Sequence, residues 1–281
     1  MMPSRDDPWA QCWMGWKAKD SYAEDILQHR RERGPLYRLL QESLPSQEGK
    51  QLKALEVGCG TAIDGCLLAE DSRLMVVGLD QQMGALQVAT RIASTFKRQP
   101  VFVAGDAGAL SFPDETFDLV FSQGLLEHFR EPLPFLSEQA RVLKPSGSLV
   151  VDVPQKFAGL GFYSLRKQWK IQKGTWEWGW ETQYSYPELK RLGRAAGLIP
   201  AGVGGYGYDG LFNLFANPHL MIDKWPFLCR SGMAQAFKRF YLKRLKKTND
   251  QLWGWLSRRF GHWFLICIAV RFRKKPSSCR S

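Results

Sequence analysis

Between Leu52 and Val153, short apolar runs alternate with stretches of helical spacing, and this alternation limits the folds open to the chain. Leu52–Val57 runs into Gly58-Cys59-Gly60, Leu74–Leu79 ends at Asp80, and Val101–Ala104 closes on Gly105-Asp106. A fourth run, Phe117–Ser122, follows the turn Pro113-Asp114-Glu115-Thr116, and a fifth covers Leu149–Val153. Helices are expected over 62–70 and 82–94. Another is expected over 132–143, stopped by Pro145-Ser146-Gly147. Strand, helix, strand repeated in this way implies parallel pairing with right-handed crossovers, an α/β, doubly wound sheet. Leu198–Val203 and the run from Phe264 to Phe272 supply a sixth and a seventh strand. Ligands of such sheets bind beyond the carboxyl ends of the strands.

The flanks divide the chain further. Residues 1–48 read as an N-terminal helical extension, with apolar points at Trp13, Trp16, Tyr22, Ile26 and Leu27. A break at Gly34-Pro35 follows, then Leu36, Leu39, Leu40 and Leu44 at helical spacing. Residues 49–207 form the core, and its aromatic, glycine-rich stretch 155–184 is expected to be an irregular lid. A helix starts at Tyr186-Pro187-Glu188, with proline near its first turn, and ends at Gly197. Residues 208–261 read as a basic helical insert before the last strand, and 262–281 as that strand and a basic tail.

Charge separates these parts. From Leu211 to Ser281 there are fifteen Lys/Arg and two acids, whereas the other 210 residues carry 24 against 25. An anionic partner should therefore meet the C-terminal quarter. The six cysteines form no Cys-x-x-Cys pair and no zinc spacing, so no metal site is expected, and reduced thiols in a cytoplasmic protein are. The acidic start, Asp6-Asp7, does not read as a secretory signal. The longest apolar run, Trp263 to Val270, is far short of the roughly 20 residues that a spanning helix needs.

The chemistry concentrates at the strand ends. Gly58 and Gly60 let the backbone approach a ligand closely. Glu56, just before that turn, can meet a cationic ligand group. Asp80 stands where dinucleotide folds place an acid for ribose hydroxyls. Asp106, followed by Ala107, can accept from an exocyclic amine. Each acid taken alone also fits a helix cap or a turn. Together, three acids at three successive strand ends suit an amino acid, a ribose and an adenine in that order.

With these residues the stretch Leu52–Val153 resembles the core of the class I S-adenosylmethionine-dependent methyltransferases, near the group containing the ubiquinone and menaquinone biosynthesis methyltransferases. The family's E/D-x-G-x-G motif appears as Glu56-Val57-Gly58-Cys59-Gly60, and its second acidic motif as Gly78-Leu79-Asp80-Gln81-Gln82-Met83. The segments Gly105-Asp106-Ala107, Leu126-Glu127-His128 and Arg141-Val142-Leu143-Lys144-Pro145-Ser146-Gly147 also match. The resemblance implies a Rossmann-like fold and S-adenosyl-L-methionine as cofactor. It puts Gly58 and Gly60 at the methionine part and Glu56 near its amino group. Asp80 falls on the ribose, Gln81 and Met83 near the adenine, and Asp106 and Ala107 on the adenine edge. Ser122 and Gln123 fall on the floor, although Gln123-Gly124 departs from the small polar residue usual there. NAD fits poorly, because the third glycine of its fingerprint is replaced by Ile63.

Methyl transfer from a sulfonium needs alignment above all, and a base only if the acceptor must lose a proton early. His128 is the nearest candidate base, against a packing role; Glu127 is equally ambiguous. Tyr163 and Tyr184 sit in the expected lid. The Asn/Asp-Pro-Pro-Tyr/Phe motif of amino-methylating enzymes of DNA is replaced by Ser122-Gln123-Gly124-Leu125. The segment Met233–Lys247 reads as an amphipathic helix, with Phe237, Phe240, Tyr241 and Leu245 on one stripe and lysines and arginines around it. A second apolar-basic pattern spans Leu252 to Phe260. These suit a cap on the core, an anionic membrane surface met through 230–260, or RNA, in that order. The leading reading is a methyltransferase for a small-molecule or lipid-like acceptor. An RNA or protein methyltransferase docking through the insert and a non-catalytic cofactor-binding module are the alternatives.

Overall fold

The structure is a computed structural model, and it describes residues 8–46, 49–158, 162–208, 222, 226–245, 255 and 265–274. Three helices come first: α1 (Pro8–Lys17), α2 (Ala23–Glu32) and α3 (Gly34–Glu42). The core then runs β1 (Leu52–Val57), α4 (Ile63–Ala69), β2 (Leu74–Asp80), α5 (Met83–Ala93), β3 (Val101–Ala104) and β4 (Phe117–Gln123). A short 3-10 turn (Leu126–His128) follows, then α6 (Pro132–Val142) and β5 (Leu143–Pro154). After these come α7 (Phe162–Gln172), α8 (Tyr186–Ala195) and β6 (Leu198–Tyr208). The elements α9 (Pro226–Cys229), α10 (Gly232–Phe240) with a π-helical turn (Tyr241–Leu245), and β7 (Leu265–Lys274) complete the described chain.

The seven strands lie in the order β3-β2-β1-β4-β5-β7-β6. Strands β1 to β5 pair in parallel, whereas β7 is antiparallel to both β5 and β6. Strands β1 and β4 are covered on both faces, as their near-continuous Leu, Val and Phe content requires. On one face Phe135, Leu136 and Leu189 pack against Val57, Val120 and Val151. On the other, Leu36, Leu40 and Leu68 pack against Ala54, Leu119 and Phe121. The N-terminal helices are thus part of the core cover. Helix α8 approaches the sheet closely because residue 193 is glycine: a Cβ there would lie 2.2 Å from the Phe272 ring. Its start is fixed by Glu188 Oε2, which accepts from Ser185 N at 2.8 Å and Ser185 Oγ at 2.6 Å.

Three expectations change. The stretch 155–184 is not irregular throughout, since it contains α7, whose inward positions Ser164 and Lys167 are buried. Strand β5 begins directly where α6 ends, and the Pro145-Ser146-Gly147 turn lies within it, with Ser146 at φ +66°. Strands β6 and β7 are longer than the apolar runs that announced them, because their pairing continues through polar and glycine positions. Of the basic insert 208–261, α9, α10 and the turn after it are described. Lys246, Lys247, Leu252, Trp253, Leu256, Arg258, Arg259, Phe260 and the tail after Lys274 lie outside the described residues.

Candidate functional site

A cavity of about 850 Å³ opens beyond the carboxyl ends of β1, β2, β3, β4 and β5. Glu56, Gly58, Gly60, Asp80, Gln81, Asp106, Ala107, Gln123 and His128 all line it. Two expected residues do not. Met83 opens α5 and is 60% exposed, because the strand-to-helix turn spends Gln81 and Gln82 on the cavity rim. Ser122 is fully buried within β4, and the alternation of strand side chains turns it away from the cavity that Gln123 lines.

The glycine loop is shaped by left-handed backbone at Gly58 (φ +67°), Gly60 (φ +51°) and Ala62 (φ +53°). The first two positions demand glycine on packing grounds as well. A Cβ at Gly58 would lie 2.6 Å from the Leu125 side chain, and one at Gly60 would lie 3.2 Å from the ring of Trp13. Asp80 ties this loop to the next: its Oδ2 accepts from Gly60 N and its Oδ1 from Gln82 N, both at 2.9 Å. Burial raises the Asp80 carboxyl above its ordinary range, against these backbone donors. Glu56 is buried and accepts from Gly65 N at 3.1 Å in the first turn of α4. Burial, then the charge of Asp64, pushes its pKa well above the usual carboxylate range, while Gly65 N–H and Arg33 oppose the shift. Asp106 is exposed and accepts from Gly108 N at 2.8 Å, an Asx turn after β3.

Beneath the glycine loop lies a polar cluster that the motifs did not announce. Asp64 Oδ2 is 2.6 Å from His29 Nε2 and 3.8 Å from Arg33 Nη1. Burial alone would raise the Asp64 pKa, but His29, Arg33 and Gln123 outweigh it and hold it below its usual value. Arg33 Nη1 donates to Gln123 Oε1 at 2.5 Å, and its guanidinium lies 5.2 Å from the centre of the Tyr206 ring. Tyr206 in turn donates to Asp152 Oδ2 at 2.8 Å. Asp152 is pushed up to about 7 by burial, against Arg33 and the Tyr206 hydroxyl. Two of these residues, Asp152 and Asp64, have a faint sequence signal. Asp152 interrupts the Leu149–Val153 run and Asp64 sits within Ile63-Asp64-Gly65-Cys66-Leu67, and charges inside apolar runs are rarely buried without a partner.

The far end of the cavity is aromatic. Trp9 of α1 lies 5.1 Å from Trp178 and meets His128 edge-on at 5.3 Å. Trp176 also lines this end, and its Nε1 donates to Glu181 Oε1 at 2.9 Å. Glu181 forms a buried ion pair with Lys167 of α7. Glu127 joins the wall with its carboxylate buried. His128 Nδ1 stands 3.3 Å from Trp180 O, and burial lowers its pKa, against the charge of Glu181 and the Trp180 carbonyl. Tyr184 is buried behind Gln155 and does not line the cavity, and the side chain of Tyr163 lies outside the described residues. No cluster of metal-ligating side chains occurs among the described residues.

Residues 55–151 match the family model described as a methyltransferase domain. A ubiquinone biosynthesis O-methyltransferase of Alkalilimnicola ehrlichii is 32% identical over 181 residues, which cover 60% of this chain and 69% of that protein. A demethylmenaquinone methyltransferase of Renibacterium salmoninarum is 36% identical over 115 residues, 41% of this chain; the chain spans only 45% of that relative's length. The fold is shared with an S-adenosylmethionine-dependent methyltransferase of Thermotoga maritima, with a TM-score of 0.57 at 15% identity over 95% of this chain and 100% of that one. The matched residues 55–151 include the glycine loop and the acids at the ends of β1, β2 and β3. This chain belongs to the class I, Rossmann-like, S-adenosyl-L-methionine-dependent methyltransferases.

Proposed function

We propose that this chain transfers a methyl group from S-adenosyl-L-methionine to a small-molecule or lipid-like acceptor. One observation carries the reading: a single cavity joins the acids of the first three strand ends to a chamber walled by Trp9, Trp176 and Trp178. The residues fit the cofactor. Gly58 and Gly60 leave the backbone bare where a side chain would otherwise stand. The buried Trp13 Nε1–H, without a partner in the protein, lines the same end and is free to donate to a ligand. When bound, the cofactor supplies an electrophilic methyl carbon on a sulfonium.

In this reading Glu56 lies near the cofactor's amino group, Asp80 takes the ribose hydroxyls, and Asp106, Ala107 and Gln81 border the adenine. Gln123, held by Arg33, lies on the floor. The aromatic chamber excludes water and orients the acceptor, which is most of what an in-line displacement asks of a protein. His128 is assigned a wall role, since its ring is engaged by Trp9 and the Trp180 carbonyl.

Peripheral contact with an anionic membrane through 230–260 belongs to the same proposal and suits a lipid-like acceptor. Phe237 and Phe240 are about half exposed and Met233 is 83% exposed, beside Lys238, Arg239, Lys243 and Arg244. Among the described residues no helix is long and apolar enough to cross a membrane. A cytoplasmic location with reduced thiols remains the expectation; the five described cysteines are free.

Calorimetric titration with S-adenosyl-L-methionine tests the core of the reading. Micromolar binding by the parent chain, weakened at least tenfold in Asp80→Ala, is expected. Absence of binding by the parent would remove the methyltransferase reading.

A further inference from the structure

The cavity is acidic in a basic protein. Among the described residues that line it, nine carry carboxylates, while the permanent cations are Arg33 and Lys167; the whole chain carries a formal +12. The bound cofactor has one net positive charge, which calls for acids at the glycine-loop end. It does not account for the acids at the aromatic end, Glu127 and Glu181.

These two differ in their partners. Glu181 is engaged by Lys167 and by the Trp176 indole. Glu127 is 2% exposed, lines the cavity, and its Oε2 has no hydrogen-bond partner. A buried carboxylate oxygen without a donor costs stability unless a ligand supplies one. Burial, with the charges of Glu181 and Asp152, pushes the Glu127 carboxyl well above its usual range, so its ionised form calls for a cation beside it. The same cavity is lined by Trp9, Trp178 and His128, the residue after Glu127, and the Trp9 ring lies 5.1 Å from that of Trp178 and 5.3 Å from that of His128. Aromatic faces next to a carboxylate are a recognition surface for an ammonium group.

The same charges discriminate between acceptor classes. A hydroxyl acceptor that loses its proton before attack becomes anionic on oxygen, which the carboxylates Glu127, Glu181 and Asp152 oppose. An amine binds as a cation and attacks as a neutral nitrogen, so neither state is opposed. We infer that the acceptor is an amine, held as its ammonium between Glu127 and the Trp9–Trp178–His128 wall, and methylated on nitrogen. The inference rests on the cofactor assignment proposed above. In the step, Glu127 takes one N–H proton and frees the nitrogen lone pair. The N–C bond forms as the C–S bond breaks, and that electron pair stays on sulfur. The products are an N-methylammonium, a neutral thioether and a protonated Glu127, whose proton then passes to solvent.

The test uses the full chain saturated with S-adenosylhomocysteine. Choline and 3,3-dimethylbutan-1-ol have the same shape, but only choline is charged. Calorimetry is expected to show choline binding at least tenfold tighter. The preference should be lost in Glu127→Gln and reduced in Trp9→Leu, with S-adenosylhomocysteine affinity within twofold of the parent in both. With labelled S-adenosylmethionine, label should enter phenethylamine and not 4-ethylphenol. Equal affinity for the two probes, an unchanged preference in Glu127→Gln, or label in the phenol would overturn the inference while leaving the cofactor reading intact. Failure of S-adenosylhomocysteine itself to bind would remove both.

Discussion

The carboxylate of Glu56 fills the space that a side chain at Gly65 would need: a Cβ there would lie 2.4 Å from Glu56 Oε2. The same oxygen accepts from Gly65 N at 3.1 Å, so the strand-end acid is fixed against the first turn of α4 by a missing side chain. Gly65→Ala should therefore displace the end of Glu56 and leave the fold standing, because the atom in the way is the tip of a flexible side chain. Affinity for S-adenosylhomocysteine is expected to fall about tenfold, roughly 1.4 kcal/mol, with Tm within a few degrees of the parent. Unchanged affinity would show that Glu56 does not serve the cofactor.

His29 and Asp64 anchor the N-terminal helices over the same site. His29→Ala leaves Asp64 buried and short of its nearest donor, and the expected loss is about 2 kcal/mol. Asp64 has a lowered folded pKa, so its contribution is complete above the unfolded value near 3.8 and is lost as the pH falls through the lower folded value. The difference in stability between parent and Asp64→Asn, measured by urea unfolding, should accordingly be constant from pH 5 to 7 and shrink only below pH 4. A difference that instead changes between pH 7 and 6 would mean that a group other than Asp64 governs the contact.

The reach of sequence reasoning follows from what each residue's neighbours in the chain reveal. Strands β1, β2 and β4 were legible because a parallel strand covered on both faces is apolar almost throughout and ends abruptly at a turn, as after Val57 and at Asp80. Strand β6 was cut short at Val203, since its later residues are glycine and tyrosine and are held there by pairing with β7. The glycine-loop end of the cavity was legible for the same local reason: Glu56, Gly58, Gly60, Asp80 and Asp106 sit at fixed offsets from strand ends and line it. Met83 and Ser122 fell outside it because an offset does not say which way a side chain turns. The contacts of the polar cluster beneath the glycine loop were not legible. Arg33 meets Asp152 and Tyr206 across more than a hundred residues of chain, and the placement of β7 between β5 and β6 brings Tyr206 to Asp152.

Asp152 makes the fold sensitive to alkaline pH. Its folded pKa of about 7 lies above the unfolded carboxylate value, so its favourable contribution is present at low pH and is lost as the pH rises through 7. Asp152→Asn keeps an acceptor for the Tyr206 hydroxyl and removes the titration. The variant should gain a few degrees of Tm relative to the parent at pH 8.5 and little or nothing at pH 5. An equal shift at both pH values would point to packing and not to charge.

The exposed stripe of α10 gives the membrane proposal its own measurement. Co-sedimentation with vesicles of phosphatidylcholine containing a third phosphatidylserine should retain the protein at 50 mM salt and release most of it at 500 mM, because the attraction between Lys238, Arg239, Lys243, Arg244 and the anionic surface is screened. Replacing these four cations by glutamate should abolish retention, and Phe237→Ser with Phe240→Ser should weaken it at every salt concentration by removing the buried apolar contact. Both variants lie away from the residues that line the cavity and should bind S-adenosylhomocysteine like the parent. Retention by neutral vesicles alone would leave the cations without a role, and no retention by either kind would return α10 to a cap on the core.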